Sequence, residues 1–217
     1  MHHANVALHI AAGTIGIVLG LIALVARKGS RVHRAFGRRF TWAAGIVVAT
    51  AVFGLLVFGT FPALAAVTLT VGYQLTSSLR TLRRHAAGPS RFDAELAAAT
   101  LAAVVALFVT MGPGDASWTP QIGYPTLGFL AAICIFDLSR GLWLARWRAF
   151  WTLDHGIKMS NALFGMMSAG LGNLLPQYQP WTQVGPSFIG TGVGIALVAI
   201  YWPRAPAKTA GLSASNE

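Results

Sequence analysis

Two histidines near the ends of apolar segments carry the chemistry that a cofactor site needs. His33 follows Ser30, where a helix is predicted to begin, and His155 opens a later apolar segment. A neutral imidazole ligates haem iron, zinc or copper, and its second nitrogen usually needs an orienting partner, here Asp154 or Asp137. The pair predicts a cofactor site; the alternative is that both histidines bond nearby backbone or acids. HExxH, CxxC and HxxxH patterns are absent, so no metal is assigned.

A third histidine shares a helical face with three glycines. His9, Gly13, Gly16 and Gly20 recur at intervals of three and four residues, which places them on one side of a helix. Such glycines let another helix approach closely. Alternatively, they line a groove for a planar cofactor such as haem b or a quinone. His9 itself either points into the bundle or faces water near the helix end.

Asp137 and Arg140 lie three residues apart in an apolar segment, so they are predicted to form a buried ion pair. Ionisable groups at membrane depth are costly, and each one is a functional-site hypothesis. The pair is either structural or part of a gate or proton-linked site. Polar residues of an earlier segment would line a hydrated vestibule: Tyr73, Gln74, Thr76, Ser77 and Ser78.

The composition shows that lipid surrounds the elements that position these residues. Of 217 residues, 55% are hydrophobic and 10% are charged, whereas soluble domains carry about 25% charged residues. Seven apolar segments approach the roughly 20 residues that cross a bilayer. They cover residues 5–26, 42–61, 62–78, 94–111, 125–143, 159–175 and 186–202. We therefore predict an all-α bundle of seven transmembrane helices over residues 1–204, followed by a disordered cytoplasmic tail, 205–217.

The charges predict the orientation of this bundle. The chain has sixteen Lys and Arg but only six Asp and Glu. The basic residues occupy alternate connections between the spans and the C-terminus. The positive-inside rule then places the N-terminus outside and the C-terminus in the cytoplasm. The basic loops are expected to contact anionic lipids rather than nucleic acid, because no soluble domain exists to hold a nucleic acid. Trp143, Trp147 and Trp151 are predicted to form an interfacial aromatic belt.

Short motifs lie along most of the chain: His9…Gly13…Gly20, Lys28-Gly29…His33-Arg34…Gly37-Arg38, Asp137, His155…Met159 and Tyr201-Trp202-Pro203-Arg204. With them the chain resembles the bacterial multi-pass membrane proteins grouped as domain of unknown function 2306. It departs from that pattern at Asp154-His155, where Arg-His is expected. The resemblance implies a helical membrane protein, expected in the bacterial inner membrane, with no settled activity. A weaker likeness to small cytochrome b bundles implies that His33 and His155 supply two axial haem ligands.

Three functional hypotheses follow. The first is a redox-associated component that binds haem b or a quinone through His33, His155 and the glycine face. The second is an accessory subunit that packs against a larger membrane complex, or forms a homo-oligomer. The third is a carrier for a small apolar or anionic compound, which would use Asp137 and Arg140. Gly-rich phosphate loops, nucleophile elbows and paired catalytic carboxylates are absent, and the sequence leaves enzymatic activity undecided.

Overall fold

The regular elements are helices throughout the part of the chain that the structure describes. A computed structural model describes residues 1–59, 62–110, 120–149 and 151–201. Its helices are α1 (His2–Val25), α2 (Arg31–Phe58), α3 (Pro62–Arg84), α4 (Arg91–Thr110), α5 (Pro120–Ser139), α6 (Leu144–Ala149), α7 (Trp151–Leu174) and α8 (Trp181–Tyr201). Two short 3-10 helices, Arg140–Trp143 and Pro176–Tyr178, join them. The all-α prediction is confirmed, and the predicted tail lies outside the described residues.

Five of the described helices are long and apolar enough to cross a membrane. These spans are His2–Val25, Arg31–Phe58, Arg91–Val109, Ile122–Trp143 and Trp181–Ile200. Many of their apolar side chains point outward, and Leu142 is 90% exposed. Because such a surface is stable only against hydrocarbon, the protein is a multi-pass membrane protein. The other two predicted spans overlap α3 and α7, which are long enough but too polar to be recognised as spans by composition.

The two polar helices lie in the interior of the bundle. α3 contributes to two apolar clusters, one shared with α4 and α5 and the other shared with α2 and α7. α1 packs on α2 and α7, and α8 packs on α7. Many polar side chains of α3 and α7, among them Gln74, Ser77, Asp154 and Lys158, are therefore buried between helices.

The start of α2 agrees with the prediction, and the start of α5 differs from it. Ser30 caps α2, since its hydroxyl accepts the backbone N–H of His33 at 3.1 Å. The predicted span 125–143 starts too late, because α5 begins at Pro120 and Pro125 lies inside the helix. Proline suits the first helical position, and Pro120 takes that place. Residues 111–119, between α4 and α5, lie outside the described ranges.

The contact between α7 and α8 gives a stability prediction. A Cβ atom added to Gly190 would lie 2.9 Å from Cβ and ring atoms of Phe164. We expect Gly190→Ala to lower the free energy of unfolding by about 1–3 kcal/mol, because the backbones must separate. Gly192→Ala is the matched control, since no described atom lies within 4 Å of its Cβ position.

The measurement is equilibrium unfolding of both variants in mixed detergent micelles. Alanine at residue 192 is expected to be neutral or slightly stabilising, because alanine has the higher helix propensity. Equal losses of stability at residues 190 and 192 would contradict close packing of α8 on Phe164.

Candidate functional site

Four charged side chains meet inside the bundle. Asp137 lies near the end of α5, Arg140 begins the 3-10 helix that follows, and Asp154 and Lys158 lie one turn apart on α7. Their side chains are at most 3% exposed. We call these four residues the charge cluster. Two carboxylates and two cations make its formal charge zero.

Each cation of the charge cluster contacts both carboxylates. The Nζ of Lys158 lies 2.7 and 2.9 Å from the two oxygens of Asp137 and 2.8 Å from Oδ1 of Asp154. Arg140 pairs with Asp137, and its guanidinium lies 3.4 Å from Oδ2 of Asp154. The pairing predicted from the spacing of Asp137 and Arg140 is thus one edge of a four-membered network.

Side chains of α3 complete the bonding of Asp137. The hydroxyls of Tyr73 and Ser77 both donate to its Oδ2, at 2.6 and 2.7 Å. Ser77 also accepts from Lys158 at 3.0 Å and from Arg140 at 3.2 Å. These bonds offset part of the cost of removing the ions from water. The polar half of α3 therefore packs directly against buried charges.

Trp147, on the short helix α6, covers the Asp154 side of the charge cluster. Its Nε1 donates to Oδ2 of Asp154 at 3.0 Å, and its ring is 1% exposed. Thr81 donates to the same oxygen at 3.1 Å. The prediction that Trp147 belongs to an interfacial belt is wrong, because its N–H supplies a bond that the buried carboxylate needs. Trp151 instead stacks on His85, with ring centroids 4.2 Å apart.

Two further polar groups near the charge cluster lack hydrogen-bond partners among the described residues. Gln74 is fully buried one helical turn before Ser77 and Ser78, and neither amide atom is bonded. The Nε atom of Arg140 is likewise unbonded. Unpaired buried polar groups cost about 1–3 kcal/mol each. Water or a polar ligand that bonded them would therefore be stabilised here.

His33 and His155 lie on different helices, α2 and α7. The Nδ1 of His33 lies 2.9 Å from the carbonyl oxygen of Ala23, so this nitrogen must donate. The Nδ1 of His155 lies 2.8 Å from Oγ of Ser78, which itself donates to the His155 carbonyl. In both rings the Nε2 atom is therefore the nitrogen left to bind something else.

The orienting partners of the histidines differ from those predicted. Asp137 and Asp154 bond the cations of the charge cluster, whereas the imidazoles bond a carbonyl and a serine. Ser77 bonds the charge cluster and Ser78 bonds His155, so consecutive residues of α3 join the two sites. Among the described residues, no group of three or more His, Cys, Asp or Glu is placed to hold a metal ion.

His9 lies elsewhere, between α1 and α2. Its Nδ1 is 2.9 Å from Oγ1 of Thr50. That hydroxyl already donates to backbone carbonyls of α2, so it accepts from His9. His9 thus forms an interhelical hydrogen bond, and the structure does not bring it to His33 and His155.

The predicted glycine face of α1 contacts α2 and α7. A Cβ atom at Gly13 would lie 3.8 Å from Val47 of α2. At Gly16 and Gly20 it would lie 3.1 and 2.6 Å from side chains of α7. Of the two interpretations of this face, close helix packing describes these contacts.

No known protein family, curated protein or solved structure matches the chain. The class of protein is therefore inferred from the helices of the chain and from the residues buried between them. They define a multi-pass α-helical membrane protein with a buried charge cluster, and His155 bonds α3 one residue from Ser77 of that network.

Sequence analysis missed the second half of the charge cluster. Lys158 was counted only as a basic residue marking orientation, and Asp154 only as a partner for a histidine. The signal was present, because these residues are four apart in one predicted helix, where opposite charges meet on one face. The long-range contacts of Tyr73 and Ser77 with Asp137 have no such local signal.

Proposed function

We propose that the protein is a redox-associated component of the bacterial inner membrane that binds haem b between His33 and His155. The proposal rests on one observation: the Nδ1 atoms of both histidines are hydrogen-bonded, which leaves both Nε2 atoms to bind a ligand. Ligand histidines usually donate their second ring N–H to a carbonyl or another acceptor, which fixes the ring and its tautomer. The two histidines also come from different helices, α2 and α7, as two axial ligands of one haem would.

The proposal includes a bundle of seven spans with the N-terminus outside. α3 and α7 have 23 and 24 residues, or about 35 Å at roughly 1.5 Å per residue, which exceeds a hydrocarbon core of about 30 Å. Their polar side chains bond one another inside the bundle, so low hydropathy does not prevent them from crossing. With seven spans the positive-inside rule puts the histidine pair at the cytoplasmic end. The resemblance to domain of unknown function 2306 stays a prediction that agrees with this arrangement.

The test is an absorption spectrum of the protein purified in mild detergent from haem-supplemented cells, oxidised and then reduced with dithionite. We expect a Soret band and sharp reduced α and β bands, with about one haem per chain. A colourless protein would overturn the haem assignment. A native gel of the same fraction tests the accessory-subunit hypothesis, which predicts a stable larger complex, and reports homo-oligomers.

A proton-linked carrier is the second candidate, favoured by the unbonded Gln74 amide near the charge cluster. Such a carrier would pass protons through buried ionisable groups. We expect Asp137→Asn to reduce potential-driven proton uptake into proteoliposomes at least tenfold, because it removes one of the two buried carboxylates of the charge cluster. Asp93→Asn is the matched control, since Asp93 pairs with Arg80 outside the charge cluster.

The readout is a pH-sensitive dye trapped inside the vesicles. Wild-type flux equal to that of protein-free vesicles would remove the carrier candidate. Equal losses in the Asp137 and Asp93 variants would show that flux depends on folding rather than on the charge cluster.

A further inference from the structure

A groove opens between α1 and α8, beside the connection that leads to His33. Both helices pack against α7, and the space between them has a volume of about 310 Å³. Bound small molecules occupy pockets of roughly 300–1,000 Å³. The walls are apolar except at one end, where Arg27 and Lys28 lie. The lining residues are Leu24, Val25, Ala26, Arg27, Lys28, Val193, Ala196, Leu197 and Ile200.

The apolar walls of the groove face the surroundings of the bundle. The α8 residues of the groove recur at intervals of three and four positions, so they form one helical face. Val25 and Ile200 are exposed on opposite walls. In a membrane protein an open apolar groove at the side of the bundle is lined by lipid. A hydrocarbon chain is therefore the group that suits its apolar walls.

The basic end of the groove favours a ligand with a negative charge. Arg27 is exposed and has no acidic partner among the described residues. Lys28 donates to the carbonyl of Leu24, the last turn of α1, and burial lowers the pKa of Lys28. An anion beside these residues would compensate both cations. A zwitterionic headgroup such as phosphocholine carries its own cation beside the phosphate, so it would compensate these residues less well.

We propose that this groove is a binding site for one anionic phospholipid. The acyl chain lies between α1 and α8, and the phosphate group bonds Arg27 and Lys28. This site is separate from the histidine pair and the charge cluster, so it does not depend on the function proposed above. It differs from the general attraction of basic loops to anionic membranes because it combines two particular cations with one groove.

The experiment is native mass spectrometry of the delipidated protein titrated with dioleoylphosphatidylglycerol or dioleoylphosphatidylcholine. We expect the first equivalent of phosphatidylglycerol to bind at least tenfold more tightly than phosphatidylcholine. The double substitution Arg27→Gln and Lys28→Gln is expected to remove this preference, because each basic residue contributes to anionic lipid binding. Arg38→Gln with Arg39→Gln is the matched control, since it removes the same charge from exposed positions on α2.

A third variant tests the groove without changing any charge. Ala196→Phe places a ring among the groove walls and is expected to weaken phosphatidylglycerol binding about as much as the double substitution. Equal losses in the Arg27–Lys28 and Arg38–Arg39 variants would overturn the proposal in favour of general electrostatic attraction. Unchanged binding in Ala196→Phe, or equal affinity for the two lipids, would also overturn it.

Discussion

Replacing Lys158 with methionine is expected to lower the free energy of unfolding by about 3–5 kcal/mol, because it leaves a buried carboxylate uncompensated. Lys158 contacts Asp137 and Asp154 at 2.7–2.9 Å. Without it, one guanidinium must neutralise two carboxylates in a site closed to water. Methionine keeps most of the side-chain volume, so the loss reports charge rather than a cavity. Unfolding in mixed detergent micelles, followed by tryptophan fluorescence, measures the change.

The control for Lys158→Met is Arg80→Met. Arg80 pairs with Asp93, but the two side chains are 26% and 12% exposed. Surface ion pairs contribute about 0–1 kcal/mol. Because water reaches Arg80 more than Lys158, we expect Arg80→Met to cost less than Lys158→Met. If both substitutions destabilise the protein equally, the burial of the charge cluster is not the source of its energy.

A double variant separates charge balance from the loss of individual contacts. Asp154→Asn removes one negative charge but keeps an oxygen that accepts from Trp147 and Thr81. Combined with Lys158→Met, it leaves Asp137 and Arg140 as a neutral pair. We expect the double variant to be more stable than Lys158→Met alone, which is a favourable coupling between neighbouring sites. Simple addition of the two losses would contradict the shared network.

The helices could be predicted from the sequence because hydrophobic length is a local property. Each of the seven apolar segments overlaps one long helix, and five of those helices qualify as spans. α7 begins at Trp151, eight residues before the predicted span 159–175. Asp154 and Lys158 lie before that span, and the structure buries and pairs them. Hydropathy alone cannot distinguish a charge facing water from one neutralised inside a bundle.

The site could be predicted only where its contacts are short in sequence. Asp137 and Arg140 are three residues apart, and helical geometry suffices to pair them. Tyr73 and Asp137 are 64 residues apart, and their contact depends on how α3 packs against α5. The partners of the histidines were wrong for a similar reason. Acids were favoured as partners on chemical grounds, but the cations of α7 and the 3-10 helix already bind them.

Substituting either His33 or His155 with alanine is expected to abolish stable haem binding, because each would remove one of two axial ligands. His85→Ala and His9→Ala are the matched controls. His85 is partly buried and stacks on Trp151, and His9 bonds Thr50 elsewhere in the bundle. Both controls should keep the full Soret absorbance per chain. Loss of haem in all four variants would indicate that misfolding, not ligation, removes it.

Ser78→Ala distinguishes ligation from a merely structural role of the histidines. The Ser78 hydroxyl lies 2.8 Å from Nδ1 of His155, closer than the Ser78 carbonyl at 3.3 Å, and it touches no part of the proposed Nε2 ligation. Loss of such a partner typically weakens metal-site affinity about 10–100-fold, because the ring loses its fixed orientation. We therefore expect Ser78→Ala to retain haem at high concentration but to release it to apomyoglobin faster than wild type does. Haem release at the wild-type rate would contradict the orientation on which the proposed site depends.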